Sequence, residues 1–206
     1  MKRSLRTWAA CMAAFVCVAV VSVQAQAGTI ISSATKVAGN ATAISMGTLE
    51  EGVLAYTDRT HTLVNIPDKL EGASDLVMVS NSDKSSDPYQ VDVTFGHLSI
   101  MYIGLDDRFA QPFGWMDDPG QTGLPTKFFD TGAQIDIDES GDGSIDQTFS
   151  LWATIAPAGT YSTFVNGNGG NNYIIFGSDC LVVPEPGTLS LVGIGLIGLV
   201  GLRRRR

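Results

Sequence analysis

Cysteine, histidine and basic charge are all scarce in this chain. Of its three cysteines, Cys11 and Cys17 sit in an apolar N-terminal stretch, which leaves Cys180 alone in the rest. One thiol cannot form an internal disulfide, even in a compartment that permits one. An odd cysteine of this kind packs as a small hydrophobe or bridges two molecules. The two histidines, His61 and His97, have no third ligand at metal-motif spacing. The sequence holds no Gly-x-Ser-x-Gly elbow, no His-Glu-x-x-His and no glycine loop placed ahead of a helix to cradle phosphate. Carboxylate pairs are plentiful, so a polysaccharide hydrolase is the one catalytic alternative that stays open; the expectation is a protein that is not an enzyme.

Basic residues number 13 against 21 acids. Seven of the 13 belong to the two ends (Lys2, Arg3, Arg6 and Arg203 to Arg206), while every acid lies between Glu50 and Glu185. Up to Glu185 the body therefore has six basic residues against 21 acids, a net charge of −15. Nucleic acid and anionic lipid are excluded as partners, because phosphate binding needs clustered Lys and Arg. Such a balance suits an extracellular protein that repels its own copies, or one that attracts divalent cations.

What is present begins with the ends. Residues 1–27 combine Lys2, Arg3 and Arg6, an apolar run from Trp8 to Val23, and Ala25-x-Ala27 before Gly28. These are the three parts of a secretory signal peptide cut by signal peptidase between Ala27 and Gly28; an uncleaved apolar N-terminus is the alternative. At the other end, Pro184, Glu185 and Pro186 precede Gly187 to Leu202, only sixteen residues, and then Arg203, Arg204, Arg205 and Arg206. A helix over 188–202 can enter a bilayer, but at about 1.5 Å per residue all sixteen residues reach only about 24 Å, against about 30 Å of hydrocarbon. The arginines would stay cytoplasmic, and Gly193, Gly195, Gly198 and Gly201 suit close approach of another helix. Pro184 and Pro186 hold the preceding peptide extended, the form a protease can thread.

Pro-Glu-Pro, a short apolar helix and a terminal arginine cluster in that order resemble the PEP-CTERM sorting signal of Gram-negative bacteria that make exopolysaccharide. The resemblance covers 184–206. It implies an exosortase as partner, an inner-membrane intermediate, cleavage near Pro-Glu-Pro, and delivery to the cell surface or extracellular matrix. A plain tail anchor is the alternative.

The body, 28–183, is long enough for one domain. Helical periodicity is almost absent. Short runs of β-branched and aromatic residues recur between Gly, Pro, Asn and Asp, the pattern of an all-β domain. The sequence predicts strands at 53–57, 61–66, 75–81, 89–95, 98–105, 133–138, 147–155, 159–165 and 171–177. In "YQVDVTF" alternation puts Tyr89, Val91, Val93 and Phe95 on one face, while "NGNGGNN" reads as a flexible loop. Nine short strands and irregular loops predict a two-sheet antiparallel β-sandwich, jelly-roll-like. "YTDRTHTLVNIPDKLEGA", "SNSDKSSDPYQVDV", "SIMYIGLDDRF", Trp115 and "FFDTG" also resemble, in order, a secreted bacterial β-sandwich module that travels with carbohydrate-acting or carbohydrate-binding domains. That likeness spans about 53–176 and implies a carbohydrate-related role.

Three stretches of the body could bind something. In "DIDESGDGSID", Asp138, Ser140, Asp142, Ser144 and Asp146 have the spacing of a calcium loop. Phe149 stands where the bidentate acid belongs, however, and the favoured reading is an acidic hairpin turn with "SGDG" supplying positive φ angles. No cofactor is required on either reading; calcium is the candidate. Asp106, Asp107 and Arg108 at a strand end form either a clamp for sugar hydroxyls or a structural Arg–carboxylate pair. Trp115 with Asp118 makes a sugar-stacking platform, or else a loop tryptophan that caps the core. The expected role is structural or adhesive and associated with exopolysaccharide; the alternatives are a calcium-dependent carbohydrate-binding module and a hydrolase.

Overall fold

The computed structural model describes residues 29–109, 111–165 and 170–180. The expected signal peptide, the Pro-Glu-Pro segment, the helix expected over 188–202 and the arginine cluster lie outside the described residues. Among those described, no helix is long and apolar enough to cross a membrane.

Ten strands form two antiparallel sheets: β1 (Ile31–Ala38), β2 (Ser45–Thr48), β3 (Thr62–Val64), β4 (Ser74–Met78), β5 (Gln90–Phe95), β6 (Ser99–Asp106), β7 (Phe129–Asp138), β8 (Gln147–Ala156), β9 (Gly159–Phe164) and β10 (Ile174–Asp179). The small sheet runs β1-β5-β9 and the large one β2-β4-β10-β6-β8-β7-β3. The two-sheet sandwich is as expected. Three strands lie against seven, rather than the balanced pair of sheets that a jelly roll would give.

Alternation makes the strands. In β5, Val91, Val93 and Phe95 are buried while Gln90, Asp92 and Thr94 face outward. In β6, Met101, Ile103 and Leu105 are fully buried. They share a face with Val77 and Ile175 through the registers Ile175↔Ile103 and Ile175↔Val77. This face meets the small sheet at Gly177, where an added Cβ would lie 2.7 Å from Phe95 Cε1 and 3.0 Å from Ile30 Cγ2. Gly177 is there because the two sheets touch. Gly177→Ala should cost about 1–3 kcal/mol by overpacking, read as a lower urea midpoint with unchanged m-value.

The opposite face of the large sheet carries Leu76, Phe176, Phe149, Leu151 and Ile135, all buried. They join one core with Leu49, Tyr56, Ile66 and Leu70 from the long connection between β2 and β4. That connection corrects the strand expected at 53–57. "VLAYT" forms only two isolated bridges, Leu54↔Thr62 and Tyr56↔Val79, since Tyr56 turns in to fill the core rather than extending a sheet. Two strands are new. β1 and β2 are edge strands, β2 exposed along its whole length, and an edge buries too few side chains to leave an alternating pattern.

The two ends of the sandwich differ. At one, which we call the terminal end, the chain enters beside Gly96, whose N–H donates to the Ile30 carbonyl, and leaves after Asp179, paired with Ser99. The other, the loop end, gathers the ends of β1, β4, β6, β7 and β9 and the start of β10.

Candidate functional site at the loop end

Three carboxylates organise the loop end. Asp58 accepts from the N–H groups of Asn81 (2.6 Å) and Ser82 (3.1 Å) and from the hydroxyls of Ser80 (2.9 Å) and Ser82 (2.7 Å). It thereby caps the 3-10 turn Asn81–Ser85. Burial alone would raise its pKa; the donors, Ser82 and Asn81 foremost, outweigh burial and bring it down to about 2. Asp83, fully buried, accepts from the Lys36 ammonium at 2.5 Å, the Asn40 N–H at 2.6 Å and the Ser86 hydroxyl at 3.1 Å. Lys36 also donates to Asn40 Oδ1 and to the Thr42 carbonyl. Gly39, at φ +137°, passes so close that a Cβ would sit 2.8 Å from Asp83 Oδ1. The turn after β1 is thus welded to the turn after β4.

Asp106 closes β6 and is 1% exposed. It accepts from Arg108 Nε at 2.8 Å, Arg108 Nη2 at 2.5 Å, and the N–H groups of Arg108 (3.0 Å) and Asn171 (2.8 Å). Burial pushes its pKa up, and Arg108 with those N–H groups holds it below the ordinary carboxylate value. Asn171 donates its amide to Glu139 at 2.6 Å, and Asn81 donates to Asn171 Oδ1 at 2.9 Å. Asn172, fully buried, gives its N–H to Asn81 Oδ1 and takes the Tyr56 hydroxyl on its carbonyl. The sequence reading missed Lys36, Asp83, Asn81, Asn171 and Asn172. The asparagines belong to "SNS" and "NGNGGNN", which look like loop punctuation until the fold stacks them.

Each of the residues expected to bind a ligand has partners within the fold. Asp106 and Arg108 form the Arg–carboxylate pair of the second alternative. Asp107 sits at the same turn, where it accepts from the Ser150 N–H (3.0 Å) and hydroxyl (2.7 Å) and fixes β8. Trp115 is not a stacking platform: it is 6% exposed, donates its indole N–H to the Val165 carbonyl at 3.2 Å, and packs on Phe128, Phe164 and Tyr173. Asp118 caps the short helix α1 (Pro119–Thr122) through the N–H groups of Gly120 and Gln121.

The acidic stretch joins β7 to β8 as a hairpin. Asp138 accepts from the N–H groups of Gly141 (2.6 Å) and Gly143 (2.8 Å), and Gly141 and Gly143 take φ +77° and +84°. Those bonds, the Gly143 one foremost, lower the Asp138 pKa. Asp142 accepts from the Ser144 N–H, and Asp146 from the N–H groups of Glu139 and Ser140. Ser140 gives its hydroxyl to Asp138. Each carboxylate is turned to backbone N–H groups rather than toward a common centre. Among the described residues no three His, Cys, Asp or Glu side chains converge to hold a metal. Calcium at millimolar concentration should leave the melting temperature of the 28–183 fragment unchanged. A rise of several degrees in a thermal scan would show that the loop rearranges around the ion.

The arrangement builds a stiff polar floor, with its buried acids committed as acceptors. Beside it, Ala38, Gly39 and Asn40 face Ser86, Asp87 and Pro88 across an open cleft of about 510 Å³.

One solved structure shares the architecture. A β-glucuronidase from glycoside hydrolase family 2 superposes with a TM-score of 0.54 at 18% identity, over 71% of this chain and 14% of that one. A family 138 glycoside hydrolase that targets pectin rhamnogalacturonan II gives 0.44 at 12% identity, over 72% and 17%. This chain spans about one-seventh of the length of the first, and the likeness is one of fold. No curated protein matches the sequence. Residues 182–206 match the model of the PEP-CTERM protein-sorting motif, which implies export and an exosortase as processing partner. Two residues past the last described one, Cys180, this chain therefore carries a PEP-CTERM protein-sorting motif.

Proposed function

We propose that the protein is a non-catalytic component of the cell surface or extracellular matrix, delivered by signal peptidase and exosortase, with a structural or adhesive role on exopolysaccharide. The observation that carries this is the sorting motif placed directly behind β10. β10 lies inside the large sheet, between β4 and β6, so whatever the tail is joined to is attached to the core of the sandwich. The attachment leaves from the terminal end and turns the loop end outward. The cleft between Gly39 and Asp87 and the hairpin 139–146 are then the surfaces presented to a hydroxyl-rich polymer. A non-catalytic role is supported by the geometry of Asp106 and Asp118, whose oxygens already serve Arg108, Asn171 and the start of α1.

Intact mass of the native protein from medium and from membranes tests the sorting. A released species from Gly28 to near Pro184 is expected, with any added mass at that end identifying its attachment. If the sole species still carries Arg206, the tail is an anchor and the reading fails. Co-sedimentation of the 28–183 fragment with exopolysaccharide tests adhesion, and a fragment that stays in the supernatant removes it. Retention lost on adding chelator would favour the calcium-dependent module instead.

A further inference from the structure

Phe128 and Phe129 are neighbours with opposite fates. Phe128 is buried against Trp115, whereas Phe129 is 56% exposed on the outer face of the large sheet. Register places other apolar side chains around it. Phe129 pairs with Ala153 and Ala153 with Tyr102; one row nearer the terminal end, Ile155 pairs with Ile100. Ile155 is 46% exposed, and Leu98, just before β6 at the terminal end, is 49% exposed. Paired residues share a face, so Phe129, Tyr102, Ile155 and Ile100 form one apolar stripe that descends toward Leu98, where the chain also leaves.

We propose that this stripe rests on the surface of a neutral lipid bilayer while the sorting tail is inserted; the inference rests on the sorting reading above. Three observations choose lipid as the occupant. Cys180, the last described residue, lies at the terminal end, and the apolar run of the sorting tail stands beyond it in sequence. Pro184 lies only four positions beyond Cys180, a reach of about 14 Å at most, so an inserted tail holds this end against the headgroups. The stripe itself bears no charge, while the body's net charge of −15 disfavours anionic lipid. Aromatic and aliphatic side chains exposed together at such a place settle about 5–10 Å into the boundary between headgroups and acyl chains. Once the tail is cut, the contact is lost with it.

The test is quenching by phosphatidylcholine brominated on its acyl chains. The chain with its C-terminal tail is reconstituted into such vesicles as F129W and, separately, as I155W. I145W, in the hairpin at the loop end, is the control. The emission that each new indole adds over the wild type is read. F129W and I155W should lose roughly half of that emission at interfacial depth, and I145W none. Chains that float with the vesicles while both indoles stay unquenched overturn the inference and leave the sorting reading intact. Chains that do not float overturn both. Unquenched but blue-shifted indoles in a dimer would assign the stripe to a second copy of the chain and so overturn lipid contact.

Discussion

Trp115→Ala should lower the unfolding free energy by about 3–5 kcal/mol, the range for deleting a large buried aromatic side chain. The indole is 6% exposed and meets Phe113, Phe128, Phe164 and Tyr173. It closes the core where the loop before α1 crosses the sandwich, and its N–H satisfies the Val165 carbonyl. Trp115→Phe keeps much of the packing and loses that bond, so about 1–2 kcal/mol is expected. Urea midpoints of the two variants separate the contributions. A near-neutral Trp115→Ala would mean that the ring is not part of the core in solution, and the sugar-platform alternative would return.

Asp106→Ala is the second large effect. It removes the acceptor for Arg108 and for the buried N–H of Asn171. Breaking a buried pair costs about 3–5 kcal/mol when the partner stays buried. Arg108 is 47% exposed and can turn to water, so about 3 kcal/mol is the expected loss. Asp106→Ala combined with Arg108→Met should cost less than the sum of the single changes, because no cation is then left unpaired.

The same carboxylates set the acid limit. Asp58 and Asp106 both have folded pKa values below the unfolded ones. Below the unfolded value of 3.8, the unfolded chain binds more protons than the native one, so stability falls as pH falls. Their contribution is fully present above that value and is lost on the way down, for Asp58 through about 2. The decline between pH 4 and 2 in urea midpoints should therefore be shallower in Asp58→Ala and Asp106→Ala than in the wild type.

What could be read directly from the chain is what rests on local or periodic chemistry. Alternation in "YQVDVTF" marks β5 because one face of it is buried along its whole length, and "LSIMYIGL" marks β6 as a short apolar run rich in β-branched and aromatic residues. Pro-Glu-Pro with its apolar run and arginines marks the sorting motif, since that motif is defined by the order of residue types along the chain. The hairpin turn at 139–146 was legible for the same reason: its glycines and carboxylates bond to their own neighbours.

Tertiary structure alone decided the rest. β1 and β2 are strands through their pairing with β5 and β4, not through any pattern of their own. "VLAYT" has strand composition, yet Tyr56 is drawn into the core and its hydroxyl to the Asn172 carbonyl, 116 residues away. Whether Trp115 faced water or the core, and whether Asp106 was a free acid or a buried pair, depended on Val165 and Asn171, 50 and 65 residues further along. An isolated stretch of sequence carries the residue types, but burial and pairing are properties of what the fold brings beside them.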